Sequence, residues 1–567
     1  MTQLSSHQQA SAAPVSGRPR AGRSSALPAW AWAALLGLAP LAGGLGALAL
    51  GKDFSWDFRN YHYYNAHAFL VGRSGIDLAP AQLQSFYNPM LDLPMYVLVR
   101  SLPAPLVGFC LGAVQGLNFS LVFLLFRRIS RIASAPACLL AAGAVSLIGC
   151  IAPATLIELG TGTGDNLVSL LVLAGLLAAV SGIERSRSGE VRLRRRHVVI
   201  AGFAMGAAVG LKQTAIAFAL GSGIALLCVA RPRRGAFASV AWFGLAGLSG
   251  VLLLSGHWLF AMWQEFANPF FPYFNQIFRS PAIAPSPFVN EKFLPRKLFE
   301  YFSWPLLFSA DSSRVSYYRF TDVRFAVLYL ALLAAAARLT WRWATSRLTA
   351  AQGPPEPRDE AASREWFDRD RGNLLVGFLV LSFVVWMLLF SLYRYLLPLE
   401  LLAPLCFLVL LDRLGLQRWS VRAVGVFAAI VVLACFSLKV PERTAWTSRY
   451  LALDRSRFDP PAGSLIVMLG GHAMAYVIPE LSADLAYVRP GGNLRLTPRH
   501  GLHLQVESRI RSAEGALYVM YGGSDRSTEM LSQAREVGLT YDPKQCVRLR
   551  IDPPDNIRVC RAERWEG

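Results

Sequence analysis

The stretch at residues 29–50 decides the fold, because its sequence AWAWAALLGLAPLAGGLGALAL contains no charged and no amide side chain. An α-helix rises 1.5 Å per residue, so about 20 apolar residues cross the roughly 30 Å hydrocarbon core of a membrane. Ala47-Leu48-Ala49 resembles a signal-peptide cleavage site, but the run is long for a signal peptide and further apolar runs follow. We therefore interpret residues 29–50 as an uncleaved first span.

Apolar runs of similar length recur along the chain and predict an α-helical polytopic membrane protein with about eleven transmembrane helices. The composition agrees, because 54% of the residues are hydrophobic and 16% are charged, against roughly 25% charged residues in a soluble domain. The further runs lie at about 103–126, 133–152, 165–183, two within 198–230, 238–260, 323–340, 373–392, 396–412 and 420–438.

The basic residues indicate the orientation of the chain in the membrane. The net charge of +20 comes from Lys and Arg in short segments between the apolar runs, which is how cytoplasmic loops are charged. This distribution argues against a nucleic-acid partner and predicts a multi-pass protein of the bacterial inner membrane, in contact with its lipids. Residues 1–28 are expected to be a disordered cytoplasmic tail, and the long segments 52–101 and 261–322 are expected to be outer loops.

Lys212 and Gln213 interrupt the apolar residues 198–230. One interpretation is a pair of short spans joined at Lys212, with this lysine at the outer face. The other is one long kinked helix whose lysine reaches towards water. The second would put the later basic loops on the wrong side, so the sequence favours the hairpin.

Residues 439–567 differ in composition from the transmembrane domain at 29–438. Two apolar runs, 464–469 and 516–521, each precede a Gly-Gly pair, and a helical stretch follows at about 527–537. We predict a small α/β domain on the extracytoplasmic side. Cys546 and Cys560 flank a turn at 552–556, so a disulfide between them would fit an oxidising compartment, although two free thiols remain an alternative.

The first outer loop carries the residues that best suit chemistry. Asp53 and Asp57 follow the first span, and a carboxylate close to hydrocarbon tends to be functional. Transfer of a glycosyl group to a hydroxyl needs a general base, and Asp57 or Asp53 could supply it. Aromatic residues at a membrane face are otherwise typical of an interfacial belt. The candidate substrate-loop residues are Tyr61, His62, Tyr87 and Asn88 here, and Asn268, Tyr273 and Asn275 in the aromatic, proline-rich segment 268–275.

Two basic side chains at the expected outer face could hold a phosphate. Arg394 could form a forked contact with phosphate oxygens and Lys212 could act as a point charge, whereas the alternative for each is an interface anchor. The glycine-rich segment 158–166 adds Glu158 and Asp165 as a second acid or as acceptor-binding groups. Asp165 could equally be the N-cap of the following helix.

At these residues the sequence resembles the GT-C superfamily of polyprenyl-phosphate-sugar-dependent membrane glycosyltransferases. The features that carry the resemblance are the first-loop acid, the segment 268–275 and the sequence Arg394-Tyr395-Leu396-Leu397-Pro398. Residues 57–61 and Tyr87-Asn88-Pro89 look like the mannosyltransferase branch. The chain as a whole resembles the mannosyltransferase or aminoarabinose-transferase type, and its C-terminal domain is similar to the outer domains that some members carry. In architecture the resemblance covers roughly residues 29–412.

The resemblance implies an inverting transfer from a polyprenyl-phosphate sugar to a glycan, lipid or protein acceptor. It gives the base role to Asp57, the phosphate contacts to Arg394 and Lys212, and a second acid to Glu158 or Asp165. Many members have two adjacent acids in the first loop, whereas Asp53 and Asp57 are four residues apart. The identity of the base and any divalent cation therefore stay open, and no cofactor is implied with certainty.

Two other function classes fit a polytopic protein of this kind. One is a transporter or flippase of lipid-linked sugars, although transporters tend to have duplicated halves and broken helices at the midplane. The other is a non-catalytic subunit of envelope glycan assembly. A non-catalytic subunit would tolerate replacement of Asp57, so comparison of Asp57→Asn with wild type on a glycan-dependent phenotype separates these interpretations.

Overall fold

The computed structural model describes residues 27–186, 188–288, 290–349, 365–417, 425–426, 429, 438–492, 500–523 and 527–565. The expected tail at 1–28, apart from its last two residues, lies outside these ranges, and so does nearly all of the expected span at 420–438. The described part is mostly helical, as a polytopic membrane protein requires.

Seventeen helices longer than three residues run through the described ranges, not counting 3₁₀-helices and the π-helix Phe58–His62. From the N-terminus to the long membrane helix they are α1 Ala29–Leu50, α2 Tyr63–Leu70, α3 Leu93–Ser101, α4 Ala104–Ile129, α5 Ala135–Cys150, α6 Pro153–Glu158, α7 Asp165–Ser181, α8 Arg195–Leu211, α9 Ile216–Val229 and α10 Arg233–Phe266. The remainder are α11 Asn275–Phe278, α12 Leu298–Ala310, α13 Arg324–Thr349, α14 Arg369–Leu389, α15 Leu397–Arg413, α16 Gly501–Ser512 and α17 Ser527–Glu536.

Six described helices are long and apolar enough to cross a membrane, namely those that contain α1, α4, α10, α13, α14 and α15. Helices α5, α7 and α9 are shorter apolar helices, and α8 lies between α7 and α9 in the chain. These ten helices coincide in position with ten of the eleven predicted spans. The prediction of a polytopic helical fold is therefore confirmed.

The polar connections between these helices meet at two opposite ends of the bundle. At one end Arg131 contacts Asp368 at 2.9 Å, and Asp412 accepts the backbone N–H of Trp366 at 3.0 Å. The other end holds the first loop, the segment 151–164 and the turns before α9 and α15. All the acidic and basic residues proposed for chemistry lie at this second end.

Helices α8 and α9 form the hairpin that the sequence favoured. Helix α8 ends at Leu211, and Lys212 is extended, with φ −146° and ψ 111°. After α9 the backbone N–H of Arg231 donates to the carbonyl of Val191 at 2.9 Å, just before α8 begins. The chain has thus returned to its starting face, and Lys212 lies at the turn.

Glycines allow α8 and α10 to pack with their backbones in contact. A Cβ atom on Gly206 would lie 1.9 Å from the carbonyl oxygen of Gly247, and one on Gly202 would lie 2.2 Å from that of Phe243. Small residues four apart on a helix permit such close approach in membranes, where dispersion contacts replace the hydrophobic driving force. This pair of helices forms one wall below the candidate site.

The C-terminal region contains a six-stranded mixed sheet, in agreement with the predicted α/β fold. The chain has the strands β1 Lys52–Asp53, β2 Ile183–Arg185, β3 Val191–Leu193, β4 Arg443–Thr444, β5 Ala452–Asp454, β6 Leu465–Leu469, β7 Ala486–Val488, β8 Leu517–Gly522, β9 Leu539–Tyr541, β10 Val547–Arg548, β11 Arg550–Asp552 and β12 Ile557–Arg564. In the sheet, β6 pairs in parallel with β7 and β8, and β12 pairs antiparallel with β8, β9 and β10. The structure joins Cys546 and Cys560 by a disulfide.

The first loop and the C-terminal sheet pack as one layer over the helices. Strand β1, directly after α1, pairs with β4, and Leu78 forms a parallel bridge with Val488. Arg73 is buried, pairs with Asp77 at 2.5 Å and donates to the carbonyl of Leu485. The loop that carries Asp57 is thus held on both sides, by α1 and by the sheet.

Candidate functional site

A short π-helix positions the first-loop acid. Asp57 is the N-cap of the π-helix Phe58–His62, which continues into α2. Phe58 is fully buried against Tyr63 and Tyr450, and this anchor fixes the rotation of the helix. Because a π-helix joins residue i to residue i+5, Asp57 and His62 lie on the same face. Single π-turns of this kind are frequent at functional sites.

Two carboxylates and two cations meet at the centre of the site. Arg394 Nη1 donates to Asp57 Oδ2 at 2.5 Å, and Arg394 Nε lies 3.9 Å from Asp165 Oδ2. Lys212 Nζ contacts Asp165 Oδ1 at 2.9 Å and donates to the carbonyl of Thr163 at 3.0 Å. The Arg394 side chain is 28% exposed and that of Asp165 is 6% exposed, so the cluster lies in a cleft with a narrow opening.

The cations determine the protonation of Asp57. Burial alone would raise the pKa of its carboxyl, but the charge of Arg394, its hydrogen bond to Asp57 and the charge of Lys212 outweigh burial and hold the pKa below its ordinary value. Asp57 is therefore a carboxylate over the whole neutral range while Arg394 is paired with it.

A buried network beneath Arg394 fixes the turn between α14 and α15. The hydroxyl of the neighbouring Tyr393 lies within hydrogen-bond distance of Asp322 and, at 2.9 Å, of Glu400. Glu400 in turn accepts the backbone N–H groups of Ala154 and Thr155 at 3.1 and 3.0 Å. The turn that presents Arg394 is thus tied to the start of α6, and hence to the segment that leads to Asp165.

Glu158 lies close to this cluster but in a different protonation environment. It is buried and accepts hydrogen bonds from the hydroxyls of Thr161 and Thr163. Burial and the nearby charge of Asp165 raise the pKa of Glu158. The N-cap of α7 is Gly164, with φ 82°, so Asp165 is not the cap and its carboxylate is directed to Lys212 and Arg394.

Asp53 has a different environment from Asp57. It is buried, and its two carboxylate oxygens accept the backbone N–H groups of Ser55 at 2.9 Å and of Gly162 at 3.1 Å. These bonds join the first loop to the segment 158–166. Asp53 therefore carries backbone contacts, whereas Asp57 faces the two cations.

His62 pairs with an acid that the sequence analysis did not single out. Its Nδ1 lies 2.6 Å from Asp92 Oδ1, and both residues are 3% exposed. Burial raises the pKa of Asp92, although His62 opposes this shift. Asp92 is 30 residues from His62 in the chain and shows no motif, so only the fold brings the two together.

Tyrosines form one wall of the cleft. Tyr61 meets Tyr87 edge to face at 5.4 Å, and Tyr87 stacks on Tyr273, whose hydroxyl donates to Tyr87 at 2.7 Å. The ring of Tyr395 lies 5.6 Å from Lys212 Nζ and 5.2 Å from the guanidinium carbon of Arg394. Tyr395 was not predicted as a site residue, although it directly follows Arg394.

Asn88 bonds to the backbone of two helices. Its side-chain nitrogen donates to the carbonyls of Gly210 and Leu254, both at 2.9 Å, and its oxygen accepts the N–H of Met90. These bonds join the first loop to α8 and α10. Asn88 thus positions the helix end that carries Lys212.

Asn268 and Asn275 shape the proline-rich segment from within. Asn268 donates to the carbonyl of Tyr273 at 2.9 Å and accepts the N–H of Phe270. Asn275 is fully buried and bonds to both the N–H and the carbonyl of Ser280. Their side chains are occupied by local backbone, whereas Tyr273 reaches the tyrosine wall.

Asp57 and Asp165 are paired with side-chain cations. Within the described ranges, no three His, Cys, Asp or Glu side chains come together as a metal-ligand group. Asp53 and Asp57 do not form a paired-acid site, because the first is bonded to Gly162 and the second to Arg394. The residues present suit an anion that competes for Arg394 and Lys212 better than a divalent cation.

The comparisons with known proteins agree with this architecture. A family model described as Glycosyltransferase family 87 matches residues 86–353, somewhat less than half of the chain. That stretch contains Glu158, Asp165 and Lys212, but neither Asp57 nor Arg394. No curated protein matches the chain in sequence.

Two solved structures have a similar fold. One is the arabinofuranosyltransferase AftD from Mycobacteria, with a TM-score of 0.50 and 15% identity over 95% of this chain and 40% of that one. The other is ArnT from Cupriavidus metallidurans in the apo state, with a TM-score of 0.52 and 14% identity over 94% of this chain and 98% of that one. The chain thus spans two fifths of AftD and nearly all of ArnT. In fold the chain is thus similar to both proteins, and residues 86–353 are similar to Glycosyltransferase family 87, which agrees with the GT-C resemblance of the sequence.

Proposed function

We propose that this protein transfers a sugar from a polyprenyl-phosphate carrier to an acceptor hydroxyl at the extracytoplasmic face of the bacterial inner membrane. The observation that carries the proposal is the arrangement of Asp57, Arg394, Asp165 and Lys212 in one cleft at one end of the helix bundle. The fold shared with an arabinofuranosyltransferase and the match to a glycosyltransferase family support it.

Arg394 and Lys212 are the groups that would hold the donor phosphate. Among the described residues, Arg394 Nε and Asp165 Oδ2 are buried and have no hydrogen-bond partner, so the guanidinium keeps a free donor. Lys212 has three ammonium protons and contacts two acceptors. A phosphate between them would gain charge-assisted hydrogen bonds, which are stronger than neutral ones. Asp165 orients both cations towards that position.

Asp57 is the proposed general base. The acceptor oxygen would attack the anomeric carbon while the bond from that carbon to the carrier phosphate breaks, and a single displacement of this kind inverts the anomeric centre. The acceptor proton would pass to the Asp57 carboxylate. The negative charge that develops on the phosphate would be stabilised by Arg394 and Lys212, which are already in place. Glu158, whose pKa is raised, is the proposed second acid of the acceptor side.

The experiment is sugar transfer by the purified protein in detergent, offered a panel of short polyprenyl-phosphate sugars. Carrier release should occur with wild type and should fall by about 100-fold or more in Asp57→Asn, because a general base contributes on the order of 10²–10⁴ in rate. Asp311→Asn is the matched control, since Asp311 is an exposed acid that only caps the turn at Ser313. Equal release by wild type and Asp57→Asn would remove the base from the proposal, and no release from any donor by either would favour transport or assembly.

A further inference from the structure

The His62–Asp92 pair contains an unused proton acceptor on the π-helix that Asp57 caps. His62 Nδ1 lies 2.6 Å from Asp92 Oδ1, and the whole residue is 3% exposed. The other ring nitrogen, Nε2, is buried and has no hydrogen-bond partner in the part of the chain that the structure describes. Buried polar atoms of native proteins are usually bonded, so an unpartnered one asks for an explanation.

The partner of Nδ1 determines which form of the ring is present. Asp92 is a carboxyl acceptor, so Nδ1 carries the hydrogen and donates it. In the neutral ring Nε2 then has a free lone pair and no hydrogen. A carboxylate that fixes the tautomer and stabilises the imidazolium is the arrangement that turns a histidine into a proton acceptor.

The proposed base needs such an acceptor once per turnover. Asp57 pairs with Arg394 at 2.5 Å only as a carboxylate. After it has taken the acceptor proton it is neutral, and the pair with Arg394 cannot re-form until that proton leaves. A carboxylic acid whose pKa is held low gives up its proton readily, provided that an acceptor is near.

Among the described groups that act on the Asp57 carboxyl, His62 is the one with a buried, unpartnered nitrogen that can accept a proton. Arg394 and Lys212 are cations, and Tyr61 carries a hydroxyl whose pKa burial raises well above its ordinary value. Asp92 already accepts the Nδ1 hydrogen of His62. The π-turn places His62 five residues after Asp57 on the same face of the helix.

We propose that His62, held by Asp92, relays the acceptor proton away from Asp57 and so resets the Asp57–Arg394 ion pair for the next turnover. This inference rests on the proposed function. The acceptor O–H bond breaks, its proton moves to Asp57 and then to His62 Nε2, and the imidazolium is stabilised by Asp92. The proton passes to water when the products leave, so no further reactant is needed.

The test separates the first turnover from the later ones. With enzyme in excess over a polyprenyl-phosphate sugar, His62→Gln should release the carrier at close to the wild-type rate, because Asp57 still accepts one proton. In steady state, kcat should fall on the order of 10²-fold, a typical contribution of a proton-transfer group. Added imidazole should restore kcat in His62→Gln and leave wild type unchanged, a response that a purely structural role would not give.

The control variant is His67→Gln. His67 lies on α2 and its Nδ1 bonds to the hydroxyl of Tyr96 at 2.9 Å, away from Asp57. It should keep the wild-type ratio of first-turnover to steady-state rates and show no rescue by imidazole. An equal loss of both rates in His62→Gln without rescue would overturn the relay.

A spectroscopic measurement tests the relay without any substrate. The ¹⁵N chemical shifts of His62 in the purified, labelled protein should report hydrogen on Nδ1 and none on Nε2, and Asp92→Asn should disturb this tautomer. Hydrogen on Nε2 at neutral pH would overturn the proposal. Wild type that transfers no sugar would count against the proposed function, whereas active wild type, inactive Asp57→Asn and unaffected His62→Gln would count against the relay alone.

Discussion

The carboxylate of Asp57 and the guanidinium of Arg394 are 337 residues apart in the chain and 2.5 Å apart in the structure. One follows the first membrane helix and the other precedes α15. Their contact closes the cleft at one end of the bundle and places the proposed base beside the proposed phosphate-binding group. A donor phosphate would compete with Asp57 for Arg394, so donor binding would free the carboxylate at the moment it is needed.

The proposed role of Arg394 is expected to require the forked geometry of the guanidinium as well as its positive charge. Its Nη1 bonds to Asp57 and its Nε faces Asp165, and a lysine ammonium at the same position could not point to both. Arg394→Ala and Arg394→Lys should each lower kcat/KM by about 100-fold, the loss typical of one preorganised electrostatic contact. The measurement is steady-state transfer at several donor concentrations.

The control for this prediction is Arg100→Lys. Arg100 lies in the first loop and pairs with Glu480 at 3.0 Å, but its side chain is 48% exposed. It should retain wild-type transfer. Full activity of Arg394→Ala would end the phosphate role of Arg394, and partial activity of Arg394→Lys would show that charge alone supplies most of the effect.

Asp53→Asn and Asp57→Asn should have different consequences. Asp53 accepts the N–H of Gly162, and an amide –NH₂ in that place would leave a buried donor unpaired, which costs about 1–3 kcal/mol. Asp53→Asn should therefore lower the thermal unfolding temperature but retain most of kcat, whereas Asp57→Asn should lose activity in addition to the stability of its ion pair with Arg394. The reverse pattern would make Asp53 the base.

The membrane helices could be predicted from the sequence because each one depends on the residues of its own segment. A helix in hydrocarbon must satisfy its own backbone and present apolar side chains, so each span is visible in its own residues. The hairpin at Lys212 was predictable for the same reason, since basic residues at 192–196 and 231–234 had to share a face. The mixed sheet was less predictable, because the order of its strands depends on contacts between distant segments.

The candidate site was predictable only in part. Asp57, Arg394 and Lys212 stand out because charge is rare next to apolar runs. Asn88 and Asn275 looked equally suited to a substrate, yet their side chains are taken up by backbone groups that the sequence does not reveal. Asp92 could not be predicted, because nothing in its neighbourhood indicates that it pairs with His62.

Glu158 should make stability depend on pH. A folded-state pKa above the ordinary 4.5 means that the folded protein binds this proton more tightly than the unfolded chain. The resulting stability is present below pH 4.5 and is lost as pH rises through the folded pKa. The pKa of Asp57 is lowered in the folded protein, so its contribution to stability depends on pH in the opposite sense. That contribution is lost only as pH falls below 3.8, which is outside the pH range in which the Glu158 contribution is lost.

The measurement for Glu158 is thermal unfolding of wild type and Glu158→Gln at pH 4.5, 6 and 8. The amide keeps one oxygen for the Thr161 hydroxyl and cannot ionise, so the unfolding temperature of the variant relative to wild type should rise with pH and then level off. Glu291→Gln, an exposed acid of the long outer segment, is the control and should show no such trend. A difference in unfolding temperature that stays constant between pH 4.5 and pH 8 would contradict a raised pKa of Glu158 in the folded protein.

The disulfide between Cys546 and Cys560 should stabilise the C-terminal sheet. It closes a loop with a sequence separation of 14 and joins the turn before β10 to the interior of β12. Closing a loop of about 15 residues removes conformational entropy from the unfolded chain worth about 3 kcal/mol. Reductant, or Cys560→Ser, should therefore lower the unfolding temperature of this region, while Cys110→Ser, which removes a thiol of α4, should not. Such a bond persists only in an oxidising compartment. Reaction of both Cys546 and Cys560 with maleimide in protein taken directly from cells would therefore argue against an extracytoplasmic C-terminal domain.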